Sequence, residues 1–337
     1  MRKKSISLIL ISLILILFFL VVLTVCLGKY EVSPLDSLSI LFNGLFRISQ
    51  KNDEMMVNVV LGLRLPRILG AILVGSALSI SGSAYQGIYR NPLISPDFLG
   101  VSSGACIGAA LAILLSLSSS FISLFAFIGG IIAVIITSLI PKLIKNRSNI
   151  MLILSGIIVS SLMSSILGLL KFTADPESEL ASITYWTMGS FSYLSLKELV
   201  PTLIITIPSA VILILISWWI DVVSIGENEA RSLGANTSLI KTVVIICATV
   251  LTSSSVCLAG TIGWVGLVVP HFSRLLVGSS NKKLIPISAI LGSIFMLLVD
   301  TLTRTIGVIE MPVSVMTGII GAPFFIFLLI KRKDSIS

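Results

Sequence analysis

The residues that first suggest chemistry lie in the stretch GTIGWVGLVVPHFSRLLVG, residues 260–278, which holds His271, the single histidine of the chain. An imidazole can bind a metal or act as a general base, but either use needs partner groups. No second histidine or cysteine lies close in sequence to complete a metal site, and no Ser/His/Asp or Cys/His arrangement accompanies it. We therefore interpret His271 as a packing residue and expect neither a catalytic residue nor a metal site. A membrane hydrolase that uses His271 is the alternative from the enzyme class.

The same stretch contains Gly263, Gly266 and Pro270, which disfavour a regular helix. Inside a membrane, irregular backbone is tolerated where it is buried in protein or lines a cavity. These three residues therefore predict a pathway or hinge helix.

Nucleotide chemistry is not encoded in this chain. No G-x-x-x-x-G-K-[ST] motif occurs, and no loop is long enough to hold a nucleotide-binding domain. Any ATP and its Mg²⁺ must then be bound by a separate ATPase subunit, and we expect this chain to bind no cofactor.

The composition points to a lipid environment. The chain has 337 residues, of which 55% are hydrophobic and 11% are charged, and its mean hydropathy is +1.10. The formal net charge of +8 arises from short basic clusters between apolar runs, without interleaved exposed aromatics, so we expect no nucleic-acid partner. The basic clusters are typical of signals that set membrane topology.

Ten segments are apolar over about the length that a spanning helix needs. Their predicted bounds are 5–28, 67–88, 98–117, 121–140, 150–171, 200–220, 242–259, 262–278, 284–304 and 312–330. With ten spans both termini lie on the same side, and the distribution of basic residues places that side in the cytoplasm. The sequence thus predicts an all-α polytopic membrane protein with one transmembrane domain, residues 1–337.

The second span carries a small residue at every fourth position: Ala71, Gly75, Ser79, Ser83 and Gly87. Such a stripe lets neighbouring backbones approach closely. We expect this helix in the middle of the bundle.

The longest cytoplasmic loop between spans, residues 221–241, is predicted to form two short helical pieces around Gly234. Glu227, Glu229 and Arg231 decorate the first piece. The loop is either a solvated connector or a docking element for a cytoplasmic partner.

Three arginines are expected at the outer ends of spans. Arg64 and Arg67 belong to the motif LRLPR before the second span, and Arg304 ends the ninth. They are either interfacial anchors or positively charged docking residues for an acidic external partner. For Arg304 there is a further alternative, pairing with Asp300 one helical turn away.

Carboxylates are nearly absent from the predicted membrane-embedded positions, since Asp300 and Glu310 fall near the outer ends of the last two spans. A proton- or sodium-coupled carrier usually keeps ionisable groups near the bilayer midplane. Their absence argues against a carrier, although an ATP-independent secondary transporter or channel remains the alternative function.

Long stretches of the chain resemble one family, the permease subunits of binding-protein-dependent ABC importers for iron-siderophore, haem and cobalamin, called the FecCD family. The stretches that carry the resemblance are LRLPRILGAILVGSALSISGSAYQGIYRNPLISPDFLGVSSGA, YWTMGSF, GENEARSLGA, GTIGWVGLVVPHFSRLLVG and EMPVSVMTGIIGAPFFIFLL. Together they are spread over essentially the whole chain after the first span.

This resemblance implies a type II ABC importer permease with ten helices, located in the bacterial cytoplasmic membrane. It also implies a second permease copy, as a homodimer or a close heterodimer, with the pathway at the interface. Two cytoplasmic ATPase subunits and one external substrate-binding protein complete the expected assembly.

The resemblance also assigns roles to individual residues. The loop 226–235 would dock to the ATPase through Glu227, Glu229, Arg231 and Gly234. The outer arginines Arg64, Arg67 and Arg304 would meet glutamates on the binding protein. The expected cytoplasmic gate is formed by Asn91, Leu93, Ser148 and Asn149.

The cargo implied by the resemblance is an iron-siderophore-type chelate, with haem, cobalamin and oxyanions such as molybdate as lesser alternatives. The pathway is expected to be lined by small and apolar residues, so specificity would belong to the binding protein. One departure concerns residues 279–283, which read SSNKK where family members often have Asp-His-Arg. This departure puts any specific contact at that position in doubt.

Overall fold

The computed structural model describes residues 6–28, 30–46, 53–145, 148–307 and 309–333, and within these ranges the regular structure is helical throughout. Seven described helices are long and apolar enough to cross a membrane. They are α1 (Ile6–Cys26), α4 (Leu65–Ile88, continuous with the preceding turns from Glu54), α6 (Ser119–Leu143), α7 (Asn149–Thr173), α9 (Leu196–Leu215), α12 (Thr237–Ala259) and α14 (Asn281–Thr305).

Three further apolar helices fall at the remaining predicted spans. They are α5 (Val101–Leu114), α13 (Val265–Val277) and α15 (Val313–Lys333). The first two are shorter than predicted because irregular backbone precedes each of them: a 3₁₀ turn at Pro96–Leu99 before α5, and residues 260–264 before α13. The ten predicted segments therefore correspond to ten helices, and the all-α polytopic prediction is confirmed.

The remaining described helices are short and lie between the spans. They are α2 (Pro34–Leu45), α3 (Glu54–Val57), α8 (Glu179–Met188), α10 (Ser217–Val223) and α11 (Glu227–Ser232), and a π-helical stretch, Asn58–Arg64, joins α3 to α4.

One prediction about the loop 221–241 is wrong. The helical piece before Gly234 is present as α11, but the piece after it is not a separate helix. The Asn236 side chain accepts a hydrogen bond from the Leu239 N–H, which caps α12 so that this span begins at Thr237 instead of residue 242. Helix α12 therefore starts directly after the turn at Gly234.

Helix α4 lies in the centre of the bundle, as its small-residue stripe predicts. A Cβ added at Gly75 would lie 2.2 Å from the Gly292 carbonyl oxygen on α14, and one added at Gly82 would lie 1.9 Å from the Gly266 carbonyl oxygen on α13. Most of α4 is buried. The backbones of α13 and α14 therefore approach α4 at distances that only glycine allows.

Helices α1 and α7 lie at the periphery, but their exposed faces differ in composition. Exposed positions on α1 are large and apolar, as at Phe18 and Phe19. Exposed positions on α7 include Ser161, Ser165 and Gly168 among aliphatic side chains. Lipid-facing surfaces favour large apolar residues, whereas small and polar residues are enriched where helices meet other protein.

Candidate functional site

The loop segment 226–235, which we call the coupling segment, contains α11 and the turn that ends it. Gly234 has φ +81°, in the left-handed region that favours glycine after a helix. The Ala235 N–H donates to the Ala230 carbonyl and closes the turn, and Ala230 itself is buried. Glu227, Glu229 and Arg231 are exposed on the outside of this short helix. The predicted docking residues therefore share one solvent-facing element.

Lys241, in the second turn of α12, connects the coupling segment to α7. Its ammonium group pairs with the Glu227 carboxylate and also donates to the Asn149 side-chain oxygen at 3.2 Å. The hydrogen bond from Lys241 lowers the pKa of the Glu227 carboxyl below its usual value, and the charges of Arg231 and Arg90 act in the same direction. Glu227 is therefore ionised at neutral pH and held against α12.

The first expected gate element is the turn after α4. The Asn91 side-chain oxygen accepts a hydrogen bond from the Leu93 N–H at 3.0 Å, which fixes the turn and leaves the Leu93 side chain exposed. The neighbouring Arg90, at φ +52°, donates to the Val223 carbonyl at the end of α10. This turn is thereby joined to the backbone just before the coupling segment.

The second expected gate element is the start of α7. Ser148 is the N-cap residue, and its hydroxyl oxygen accepts from the Met151 N–H at 3.2 Å. Asn149 follows as the first helical residue and accepts from Lys241. The first gate element is thus bonded to the backbone just before the coupling segment, and the second is bonded to Lys241, which holds Glu227.

The residues of the predicted hinge helix occupy three different settings. Gly263 lies in the loop before α13, outside the helix, in open space. Gly266 lies in the first turn of α13, where a Cβ would lie 2.2 Å from Pro96 and 2.8 Å from the Leu78 carbonyl oxygen of α4. Pro270 is buried inside α13. Close packing explains Gly266, and the pathway or hinge role of the three residues stays a prediction.

His271 follows Pro270 and is half-buried, with its ring edge-on to Phe325 of α15 at a centroid distance of 6.0 Å. Among the described residues no group of three or more histidine, cysteine or carboxylate side chains could hold a metal ion. The aromatic contact accounts for the placement of His271 by packing.

The outer arginines are buried in the described chain, and their predicted contact with a binding protein stays a prediction. Arg67 is 8% exposed and its guanidinium pairs with Asp300 at 2.8 Å and with Glu310 at 2.9 Å. It also donates to the Ser192 hydroxyl at 3.3 Å. Arg67 therefore joins α4, α14 and two outer loops.

Arg64 and Arg304 bind the end of the first helix. Arg64 donates to the carbonyls of Val25 and Tyr30 at 2.6 and 2.5 Å, and Arg304 donates to those of Thr24 and Leu27 at 2.6 and 2.9 Å. The last carbonyls of a helix lack partners within it, and cations there are stabilising. Arg304 also lies 3.9 Å from Asp300 one turn earlier, which confirms that alternative for this residue.

Asp221 contacts the altered sequence SSNKK at residues 279–283. Its carboxylate accepts hydrogen bonds from the Ser280 hydroxyl at 2.8 Å, the Asn281 N–H at 2.7 Å and the Asn281 side-chain amide at 2.8 Å. The start of α14 is therefore capped by a side chain from α10.

A model of the FecCD transport family matches residues 14–331 of this sequence. The chain belongs to the FecCD transport family. It is therefore the permease subunit of an ABC importer, a transport component and a multi-pass protein of the bacterial cytoplasmic membrane.

Named relatives of this FecCD permease share its full length but differ in cargo. The molybdate import system permease protein of Haemophilus influenzae is 37% identical over 99% of this chain and 98% of its own length. The hemin transport system permease protein of Yersinia pestis is 33% identical over 95% of this chain and 96% of its own length.

A solved structure gives the architecture. An ABC transporter described as of the metal-chelate type, in an inward-facing conformation, matches with a TM-score of 0.85 at 35% identity. The match covers 96% of this chain and 99% of the other. The FecCD permease therefore has the type II importer permease fold.

Three contact residues of this FecCD permease were missed as candidate site residues from sequence. Lys241, Asp221 and Arg90 look like ordinary charges at the cytoplasmic ends of spans. Each bonds a residue at least 14 positions away in sequence. The one signal in the sequence that could have identified them is that all three lie beside the coupling segment or in the turn after α4.

Proposed function

We propose that this permease and a second permease subunit form the translocation pathway for an iron-siderophore-type chelate. An external binding protein delivers the chelate, and two cytoplasmic ATPase subunits drive transport by binding and hydrolysing ATP. The match to a transporter described as of the metal-chelate type and to a hemin permease supports a bulky chelate as cargo. Haem, cobalamin and molybdate are the competing cargoes in the test below.

The observation that carries the proposal is the bridge made by Lys241. The coupling segment exposes Glu229 and Arg231 to the cytoplasm, while Glu227 of the same helix is bonded through Lys241 to Asn149 at the start of α7. A push on the coupling segment by an ATPase would therefore move the start of α7. Rigid-body movement of packed elements commonly converts binding at one place into a change in the side of the membrane to which a transport pathway opens.

The exposed face of α7 fits a pathway wall. Over its 25 residues α7 carries one charged side chain, Lys171 in its last turn. The exposed positions between the ends are aliphatic, serine or glycine. Such a wall offers few ligands to a cargo, so selection would fall to the binding protein.

The outer arginine cluster, Arg64, Arg67 and Arg304, has a supporting part in this proposal. The three side chains hold the outer end of α1 and the loops that carry Ser192 and Glu310. The outer surface that these loops form would receive the binding protein. The arginines would then act by positioning that surface.

The experiment is ATP hydrolysis by the permease reconstituted with its ATPase and binding protein. The double variant Glu227→Ala, Arg231→Ala is compared with wild type while siderophore, haem, cobalamin and molybdate are supplied in turn. We expect wild type to hydrolyse ATP faster with one loaded binding protein, and the double variant to lose that response. Lys282→Ala with Lys283→Ala, at the exposed cytoplasmic start of α14, is the matched control.

A permease that neither binds the ATPase nor changes its rate would contradict the proposal. Transport into vesicles without ATP or ATPase subunits would instead favour a secondary transporter or channel. Stimulation by molybdate alone would keep the importer mechanism and replace the cargo.

A further inference from the structure

A groove of about 670 Å³ opens on the surface of the described helices at the cytoplasmic ends of α6, α7 and α12. Lys142, Lys241, Ser148 and Asn149 lie at its cytoplasmic end. Its walls continue into the membrane region along α6 and α12, where Ile135 and Ile246 line it and are more than half exposed. The groove is therefore polar and basic at one end and mostly apolar along the rest, where Ser138 and Thr249 are the hydroxyl side chains.

The length of the groove matches one leaflet of a bilayer. Lys142 and Ile131 both line it and are eleven positions apart on α6, which corresponds to about 16 Å along a helix axis. Half of the hydrocarbon core of a bilayer is about 15 Å thick. A groove of this length, with its charges at the cytoplasmic end, has the dimensions of a phospholipid in the inner leaflet.

The charges at the cytoplasmic end select the headgroup. Lys142 is exposed, and the described residues that line the groove include no carboxylate. Glu227 lies outside the lining and neutralises part of the Lys241 charge, so Lys142 is the more available cation. Hydroxyl and amide groups of Ser148, Asn149 and Ser238 add hydrogen-bond donors for phosphate oxygens.

We propose that this groove binds an anionic glycerophospholipid of the inner leaflet. The phosphate lies between Lys142 and Lys241, and an acyl chain lies along Ile131, Ile135 and Ile246. Basic pockets between transmembrane helices on the cytoplasmic side are suited to anionic headgroups. The apolar length of the groove distinguishes this ligand from free phosphate, which would occupy the basic end alone.

The position of the groove gives the lipid an effect on the neighbouring elements. A phosphate beside Lys241 would compete with Glu227 for the ammonium group and would lie next to Asn149. The bound lipid would therefore hold the starts of α7 and α12 together when the coupling segment moves.

The test is lipid binding by the full-length permease, purified in detergent, stripped of lipid and titrated with defined lipids under native mass spectrometry. We expect phosphatidylglycerol to bind about fivefold more tightly than phosphatidylcholine, since each basic residue near the headgroup adds that order of preference. Lys142→Gln should remove most of this preference. Lys282→Gln, which removes a cytoplasmic lysine outside the groove, should keep it.

A second variant tests the apolar part independently. Ser138→Phe places a ring in the groove and should weaken binding of both lipids, whereas Ile132→Phe, which lies on α6 outside the groove lining, should not. Equal binding of the two lipids, or an unchanged preference in Lys142→Gln, would overturn the proposal. Displacement of phosphatidylglycerol by equimolar inorganic phosphate would also overturn it. These outcomes do not depend on the identity of the cargo or the ATPase.

Discussion

Lys241 holds two residues from different parts of the chain at once, Glu227 in the coupling segment and Asn149 at the start of α7. Because Glu227 is half exposed, this ion pair contributes at most about 1 kcal/mol. A contact of that size is weak enough to break during a transport cycle. At the residue scale, the contact between the coupling segment and the start of α7 is therefore both specific and reversible.

Replacing Lys241 with glutamine should weaken coupling without preventing assembly. An amide can still reach Asn149 but cannot pair ionically with Glu227, so cargo-stimulated ATP hydrolysis should fall by about fivefold, the equivalent of about 1 kcal/mol. Hydrolysis is measured in proteoliposomes, with co-purification of the ATPase as the assembly check. Lys282→Gln is the control, and an unchanged rate in Lys241→Gln would remove Lys241 from the coupling route.

The lowered pKa of Glu227 predicts how the bridge depends on pH. A carboxyl whose pKa is depressed in the folded state contributes stability that is present above its ordinary pKa and lost as the pH falls through the lowered value. The difference in thermal stability between wild type and Glu227→Gln should therefore be constant near neutral pH and start to shrink as the pH falls below the ordinary glutamate pKa of about 4.3. If this stability difference instead changes between pH 6 and pH 8, about two units or more above the glutamate pKa, another group is responsible.

Asp300 is almost fully buried between Arg67 and Arg304. Asp300→Asn should destabilise the permease by about 3–5 kcal/mol because it leaves the buried Arg67 guanidinium with only the partly exposed Glu310 as charge partner. Unfolding in mixed detergent micelles with increasing dodecyl sulfate measures the loss. The double variant Asp300→Leu, Arg67→Leu removes both charges and should recover part of it. If Asp300→Asn left the stability unchanged, Glu310 alone would satisfy Arg67.

At the scale of elements, the contacts of α4 with α13 and α14 determine where the other helices lie. Gly82→Ala should cost about 1–3 kcal/mol, because its Cβ would overlap the Gly266 carbonyl and backbone must shift. Gly62, in the π-helical stretch, has open space around its Cα and provides the matched control, Gly62→Ala. Thermal unfolding of both variants compares them. Equal stability would mean that α4 and α13 can separate without cost.

Elements were predictable from sequence where the signal is local. Ten apolar runs gave ten helices, and the spacing of Gly75 and Ser79 identified the central one. The short lengths of α5 and α13 were not predicted, since the sequence carries large apolar side chains at residues 98–99 and at 262 and 264, which the structure leaves outside both helices.

The outer arginines show why site geometry was harder to predict. Their positions in sequence are typical of exposed interfacial residues, and Arg67 is instead buried by Asp300, 233 positions away. Such a partner is set by the packing of α4 against α14, which no local pattern encodes. The short helix and glycine turn of residues 226–235 were predictable because their charges and the glycine lie within ten residues.

At the scale of the whole molecule, the exposed face of α7 predicts where a second subunit lies. A cysteine introduced at Ser165 should give a disulfide-linked or bifunctionally cross-linked dimer, because serine and glycine on this face are suited to protein contact. Phe18→Cys on α1, which faces outward with large apolar neighbours, is the control and should remain monomeric. Gel mobility after oxidation in membranes reads out both. Equal cross-linking would place the second subunit elsewhere.

The binding of the α1 carbonyls by arginines has a consequence for how the protein is made. Helix α1 is synthesised well before Arg304, which holds its end through Thr24 and is 280 positions further along the chain. Until α14 has been synthesised and inserted, those carbonyls lack this partner. Arg64 follows α1 closely and can bind the Val25 and Tyr30 carbonyls much earlier, so the end of α1 is secured in two steps. A nascent chain that stalls before residue 304 would hold this end through Arg64 alone, with the Thr24 and Leu27 carbonyls still lacking their arginine.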